Sequence, residues 1–193
     1  MQNKLALIKV WDPLVRLFHW TLVLAFFIAY ITEEDFLTIH SYAGYIVTVL
    51  IAFRVVWGFI GSSHARFTDF IYSLAEIRQF LKNTLQLKAK RYLGHNPAGG
   101  AMVIIMLVSL IITCVSGFVV YGIEDQAGPL AAWLSEAGRG WGKLFEELHE
   151  LFANFTLLLV IIHVAGVIVE SLIHKENLIK SMINGMKRTD SEK

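Results

Sequence analysis

One cysteine stands in 193 residues. A lone cysteine makes no disulfide within the chain, no CxxC zinc or iron–sulfur site and no CxxCH attachment for covalent haem. Charge is scarce too. Asp, Glu, Lys and Arg make up 17% of the residues against 55% hydrophobic, and the mean hydropathy is +0.56. A soluble domain of this length cannot cover its surface with so few charges. The same scarcity excludes a disordered chain, a nucleic-acid-binding tail and an ordinary cytosolic enzyme. There is no internal repeat and no low-complexity tract.

Long apolar runs are what the chain has instead. Four meet the length of a membrane span, at about residues 14–31, 36–60, 98–123 and 148–173. The expectation is a single all-α domain over residues 1–193, an integral membrane four-helix bundle. Trp11-Asp12-Pro13 interrupts the approach to the first span and no small-residue cleavage site follows it, so a cleavable signal peptide is not expected. Asp12 and Pro13 instead suit the N-cap and first turn of a helix.

Basic residues set the expected direction. Of the 17 Lys and Arg, 15 fall in the N-terminal segment, at the end of span two, in the connector after it or in the C-terminal tail; only Arg139 and Lys143 fall on the other side. The positive-inside rule then puts both termini in the cytoplasm, N-in and C-in. The outer side is acidic, with Glu33, Glu34 and Asp35 in one loop and Glu124, Asp125, Glu136, Glu146, Glu147 and Glu150 in or beside the other. Such a face is either simply solvated or a docking surface for a cationic periplasmic partner. In the inner connector, Phe67, Phe70, Ile71, Leu74, Ile77, Phe80 and Leu81 recur at helical spacing with charges between them. This reads as a cytoplasmic, interfacial amphipathic helix over about 67–85. The basic cluster Lys88-Ala89-Lys90-Arg91 follows it.

Four histidines lie within the spans: His19, His40, His149 and His163. Ionisable groups at that depth are rare and usually functional. His149 and His163 are 14 residues apart on span four, almost four helical turns, so they face nearly the same way at levels separated by about 21 Å. With the direction from charge, His40 joins His149 at the outer level and His19 joins His163 at the inner level. Zinc wants three or four ligands at one level, and two are present. Two histidines on facing helices suit a haem iron ligated from both sides of its ring, a coordination that leaves no open position and favours electron transfer. Ser41, Ala43, Gly44, Ser116, Gly117, Ala165 and Gly166 would let helices and a porphyrin approach closely. Arg54, 14 residues after His40, and Arg16, one turn before His19, are candidates for pairing haem propionates; either is otherwise a snorkelling side chain.

These residues also carry a family resemblance. The chain resembles the prokaryotic cytochrome b561 family, which includes the b-type cytochrome subunits of membrane-bound nickel–iron hydrogenases. The matching motifs are Val10-Trp11-Asp12-Pro13-Leu14-Val15-Arg16-Leu17-Phe18-His19-Trp20, His40-Ser41-Tyr42-Ala43-Gly44-Tyr45 and Phe53-Arg54-Val55-Val56-Trp57-Gly58-Phe59. Tyr92-Leu93-Gly94-His95-Asn96-Pro97, Leu148-His149-Glu150, His163-Val164-Ala165-Gly166 and His174-Lys175-Glu176-Asn177 complete them. The resemblance implies two b haems ligated at His19, His40, His149 and His163. It also implies electron exchange between the quinone pool and a periplasmic redox partner, either a c-type cytochrome or a hydrogenase-like subunit. The direction of flow differs among members, and homo-oligomerisation stays open. A shorter branch acts alone as a superoxide:quinone oxidoreductase. That alternative calls for a cationic outer funnel, which this acidic face lacks.

His95, beside Asn96-Pro97 at the start of span three, is either a cap or a group that hydrogen-bonds or protonates a quinone. His174 and Lys175, at the inner end of span four, are candidates for proton exchange with that substrate. His64 reads as a loop residue and Cys114 as inert in apolar surroundings.

Overall fold

A computed structural model describes residues 6–33, 36–134, 136 and 138–189. Glu34, Asp35, Lys4 and Lys193 lie outside the described residues, as does the side chain of Arg139. In chain order the elements are β1 (Leu7–Lys9), α1 (Pro13–Ile31), α2 (Leu37–Ile60), a 3-10 turn (Phe67–Asp69), α3 (Leu74–Leu85), α4 (Pro97–Ile123), α5 (Ala131–Leu134), α6 (Arg139–Ile173), α7 (Leu178–Asn184) and β2 (Met186–Arg188). Helices α1, α2 and α4 and residues Gly140–Ile173 of α6 are each long and apolar enough to cross a bilayer. Their outer surfaces are apolar at heptad spacing. Leu17, Leu24 and Ile31 line one face of α1, and Tyr42, Val49 and Val56 one face of α2, all well exposed. In water such stripes would be costly; in lipid they are the solvated side. The buried face of α2 runs through Ala43, Val47, Ile51 and Arg54.

The helix starts follow from the sequence. Asp12 Oδ1 accepts the Val15 N–H at 2.9 Å with Pro13 in the first turn, where its missing N–H costs nothing. Asp12 Oδ2 also accepts from Trp57 Nε1 at 3.3 Å and from the Ser62 hydroxyl. Burial alone would raise the Asp12 pKa, but these hydrogen bonds hold it below the usual carboxylate value. Asn96 Oδ1 accepts the Gly99 N–H at 2.7 Å, repeating the cap–proline pattern at α4.

Two compact units make up the chain. One comprises Met1–Val23, Ala52–Val103 and Ile161–Lys193; the other comprises Leu24–Ile51 and Ile104–Val160. Each of the four long helices contributes a segment to both.

Within the first unit β1 and β2 pair antiparallel, Ile8 opposite Lys187. Gly185, at φ +82°, ends α7 in the left-handed region, and its carbonyl accepts the Val10 N–H at 2.8 Å. Trp20 Nε1 donates to the Met182 carbonyl at 3.3 Å and Arg16 Nη1 to the Ile183 carbonyl. Sequence reading did not anticipate this clasp, because three-residue strands carry no periodic signal. Beside it, Glu176 accepts Arg91 Nε at 3.0 Å, Arg91 Nη2 at 2.9 Å and the Arg188 N–H at 3.0 Å. Burial works to raise the Glu176 pKa; the Arg91 and Arg188 hydrogen bonds and the Arg91 and Lys187 charges outweigh it and hold the carboxyl below its usual 4.5. A depressed carboxylate stabilises the fold fully above its unfolded value and loses that contribution as pH falls through the folded one. The thermal midpoint should therefore decline below the ordinary value of 4.5, and Glu176→Gln should remove that part of the decline. Scanning the two proteins across acid pH measures it.

Two expectations are corrected. The helix expected over 67–85 is not continuous: the 3-10 turn covers Phe67–Asp69, and α3 begins only at Leu74. Ser73 caps α3 in a reciprocal box with Glu76, while Asp69 accepts from the His64 N–H at 3.2 Å and fixes the preceding turn. Phe70 therefore turns into the core at 1% exposure. Gly100 lets α4 start against this turn, since an added Cβ would strike the Phe70 carbonyl. Leu74, Leu81 and Leu85 remain exposed along one side of α3. The fourth long helix starts at Arg139 rather than near 148. Its added turns carry Trp141 and an exposed Lys143–Glu147 pair four residues apart at 3.9 Å, so much of the expected outer loop is helical. His64 lies in a turn, as expected for a loop residue.

Candidate haem sites

In the unit containing residues 24–51 and 104–160, the rings of His40 on α2 and His149 on α6 lie with centroids 5.9 Å apart. His40 Nδ1 is 2.9 Å from the Ala29 carbonyl and His149 Nδ1 is 2.8 Å from the Thr113 carbonyl. A carbonyl is only an acceptor, so each Nδ1 carries the proton and each Nε2 keeps its lone pair. This is the second contact that orients a metal-ligating histidine. One turn after Thr113, Gly117 makes room for the ring: an added Cβ would lie 2.8 Å from His149 Cε1. The hydroxyls of Ser109 and Thr156, 2.7 Å apart and buried, tie α4 to α6 below it.

In the other unit, the rings of His19 on α1 and His163 on α6 have centroids 6.5 Å apart. His19 Nδ1 is buried without a hydrogen-bond partner among the described residues. Arg54 is 3% exposed; its guanidinium lies 5.1 Å from the Phe67 ring centre and 5.7 Å from that of Phe70. Arg54 Nη1 and Arg16 Nε are both buried with no acceptor among the described residues. Buried guanidinium donors without partners call for an anion.

These features fit a haem. Metal–imidazole bonds of about 2 Å from both sides put two ring centroids roughly 6 Å apart, which matches both pairs. Beside each pair is space: an added Cβ at Gly44, one turn past His40, or at Gly166, three residues past His163, would meet nothing within 4 Å. The unpaired Arg16 and Arg54 donors suit carboxylates such as propionates. Among the described residues no group of three or more His, Cys, Asp or Glu is placed to hold a bare metal ion.

The remaining sequence candidates do not form one site. His95 is enclosed between Trp11, centroids 4.8 Å apart, and Phe70, 4.6 Å apart. Asn96, not His95, caps α4. Burial, with the Arg54 and Lys187 charges and the His163 and His64 rings, lowers the His95 pKa to about 3. Burial therefore favours the neutral ring, which can hydrogen-bond. Lys175 is exposed on a shallow groove of about 300 Å³ with Ile168, Ser171, Leu172, Asn177 and Ile179. His174 instead turns toward Glu170, with Nε2 3.2 Å from Oε2. Glu170 was missed in the sequence, although a carboxylate seven residues past His163 stands on the same helix face.

Four apolar helices of spanning length with two pairs of facing histidines define a membrane cytochrome of the b type. The chain belongs to the prokaryotic cytochrome b561 family, which it matches over residues 10–185; it is a multi-pass membrane protein of electron transport. It is 26% identical to the probable Ni/Fe-hydrogenase B-type cytochrome subunit of Azotobacter vinelandii, with 95% of this chain and 89% of that protein covered. The corresponding subunit of Cupriavidus necator is 28% identical, covering 91% and 85%. That of Rhodobacter capsulatus is 23% identical, covering 92% and 80%. No solved structure matches the chain.

Proposed function

We propose that the chain is a single dihaem domain that carries electrons across the bacterial inner membrane, between the quinone pool and a periplasmic redox partner. The observation that carries this reading is the pair of histidine–histidine contacts, 5.9 and 6.5 Å between ring centres. His40 and His149 hold the outer b haem; His19 and His163 hold the inner one. Each bound haem supplies a reversible one-electron iron couple. The protein's share is orientation and electrostatics. The Ala29 and Thr113 carbonyls lock the outer rings and make their Nε2 atoms better donors. Arg54, held over Phe67 and Phe70, and Arg16, tied to the α7 carbonyl of Ile183, offer fixed positive charge to the inner propionates.

Charge placement supports an N-in, C-in orientation, and the clasp of β1 on β2 agrees in bringing both ends of the chain to one unit. Quinone then reacts at the inner face, near the ends of α4 and α6. The exposed Leu74, Leu81 and Leu85 of α3 lie in the inner interface. The acidic outer residues, with the α5 region and the first turns of α6, meet the partner, a c-type cytochrome or a hydrogenase-like subunit. The relatives' names, each a hydrogenase B-type cytochrome subunit, support the latter. The test is haem content per chain and a reduced-minus-oxidised spectrum on detergent-purified protein, followed by reoxidation with decylubiquinone. Two b haems that quinone reoxidises would support the reading; a colourless protein would end it.

A further inference from the structure

Glu170 on α6, and His174 one residue past its end, follow the helix face that carries His163, seven and eleven residues further on. Glu170 is 9% exposed, deep burial for a carboxylate near the end of a membrane span. One oxygen is anchored: Oε2 accepts Asn96 Nδ2 at 3.2 Å, and His174 Nε2 lies at the same distance, off the line of a hydrogen bond. The other oxygen, Oε1, is buried without a hydrogen-bond partner among the described residues. A carboxylate held by one oxygen with the other bare is poised for a ligand that presents a hydroxyl or takes a proton. The His174 side chain is 13% exposed against 12% for Glu170, and the residue is fixed through its backbone, whose carbonyl accepts Arg188 Nη2 at 2.9 Å. From β2 the Lys187 ammonium interacts with both Glu170 and Glu176, Arg91 pairs with Glu176, and the Arg188 guanidinium lies between the His174 carbonyl and Glu176.

We propose that Glu170 exchanges protons directly with quinone at the inner end of α6, and that His174 connects Glu170 to water. This rests on the quinone reading above. The balance is simple: quinone gains two electrons, which the haems proposed above would supply, and two protons, and its two carbonyls become the hydroxyls of quinol. Each proton passes from water to His174, to the Glu170 carboxylate and on to a quinone oxygen. Quinol oxidation runs the same path backwards.

The test uses the purified haem-loaded protein, reduced with dithionite and mixed in a stopped flow with decylubiquinone or with ferricyanide, which takes electrons without protons. Glu170→Gln should keep haem content, spectrum and ferricyanide rate. It should be reoxidised by decylubiquinone about a hundredfold more slowly, with the pH dependence of that rate flattened. Glu170→Asp should recover most of the rate. A Gln variant with the wild-type quinone rate and pH profile overturns the proposal, as does one slowed equally with both acceptors. If wild type reacts with ferricyanide but not with decylubiquinone, the quinone reading itself falls. Should Glu170→Gln fail to hold haem, His174→Gln is read in the same way: slowing with quinone alone supports the path, and an unchanged quinone rate overturns it.

Discussion

Purified His149→Ala and His163→Ala proteins should each carry about one haem per chain, half the complement proposed for the wild type. Each change removes one imidazole from a single histidine pair and leaves the other pair intact. The His149 ring touches His40 and the Thr113 carbonyl, and the His163 ring touches His19. The α-band amplitude should halve in either variant, and the double variant should be colourless. Neither change disturbs a described hydrogen bond of the other pair. Loss of both haems from one substitution, or of none, would break the two-site reading.

On the ligation proposed above, Gly117→Val should abolish the outer haem with His149 itself unsubstituted. A Cβ at Gly117 would lie 2.8 Å from His149 Cε1 and 2.9 Å from Nδ1, closer than packed atoms sit. Valine adds two further methyl groups at that point, so the ring must leave the Thr113 carbonyl and swing away from His40. The cost to folding is that of an overpacked core, about 1–3 kcal/mol, and the spectrum should report one remaining haem. Gly117→Ala should shift the ring by less and weaken retention of the outer haem without abolishing it. Gly140→Ala is the control: an added Cβ there meets nothing within 4 Å, and haem content should not change. Two full haems in Gly117→Val would show that the His149 ring does not need its present place.

The four long helices were legible because each is a long uninterrupted apolar run, and a membrane span depends on little else. Their boundaries agreed least where polarity misled: residues Arg139 to Glu147 are charged, Gly-rich and yet helical, because a helix leaving lipid keeps its backbone bonds whether or not its side chains are apolar. Phe67 and Phe70 fitted a helical repeat with Leu74 and Ile77, but the repeat cannot tell a lipid-facing phenylalanine from one that packs on Arg54 and His95. Ser73 and Glu76, a capping box visible in the sequence, were the available signal that a helix begins at Leu74.

What the sequence determined by itself is the membrane class, the number of apolar spans and the separation of His149 from His163 on one helix face. Each follows from composition or from spacing along one helix, where 3.6 residues per turn fixes relative position without knowledge of any neighbour. What only the tertiary structure decided lies between residues distant in the chain. The Ala29 and Thr113 carbonyls receive the histidine protons, Gly117 yields space to His149, and Gly185 joins the two ends. Asn96 meets Glu170 across 74 residues and leaves one carboxylate oxygen bare. Such contacts depend on how helices rotate and pack against one another, and small changes in either move them by whole hydrogen-bond lengths.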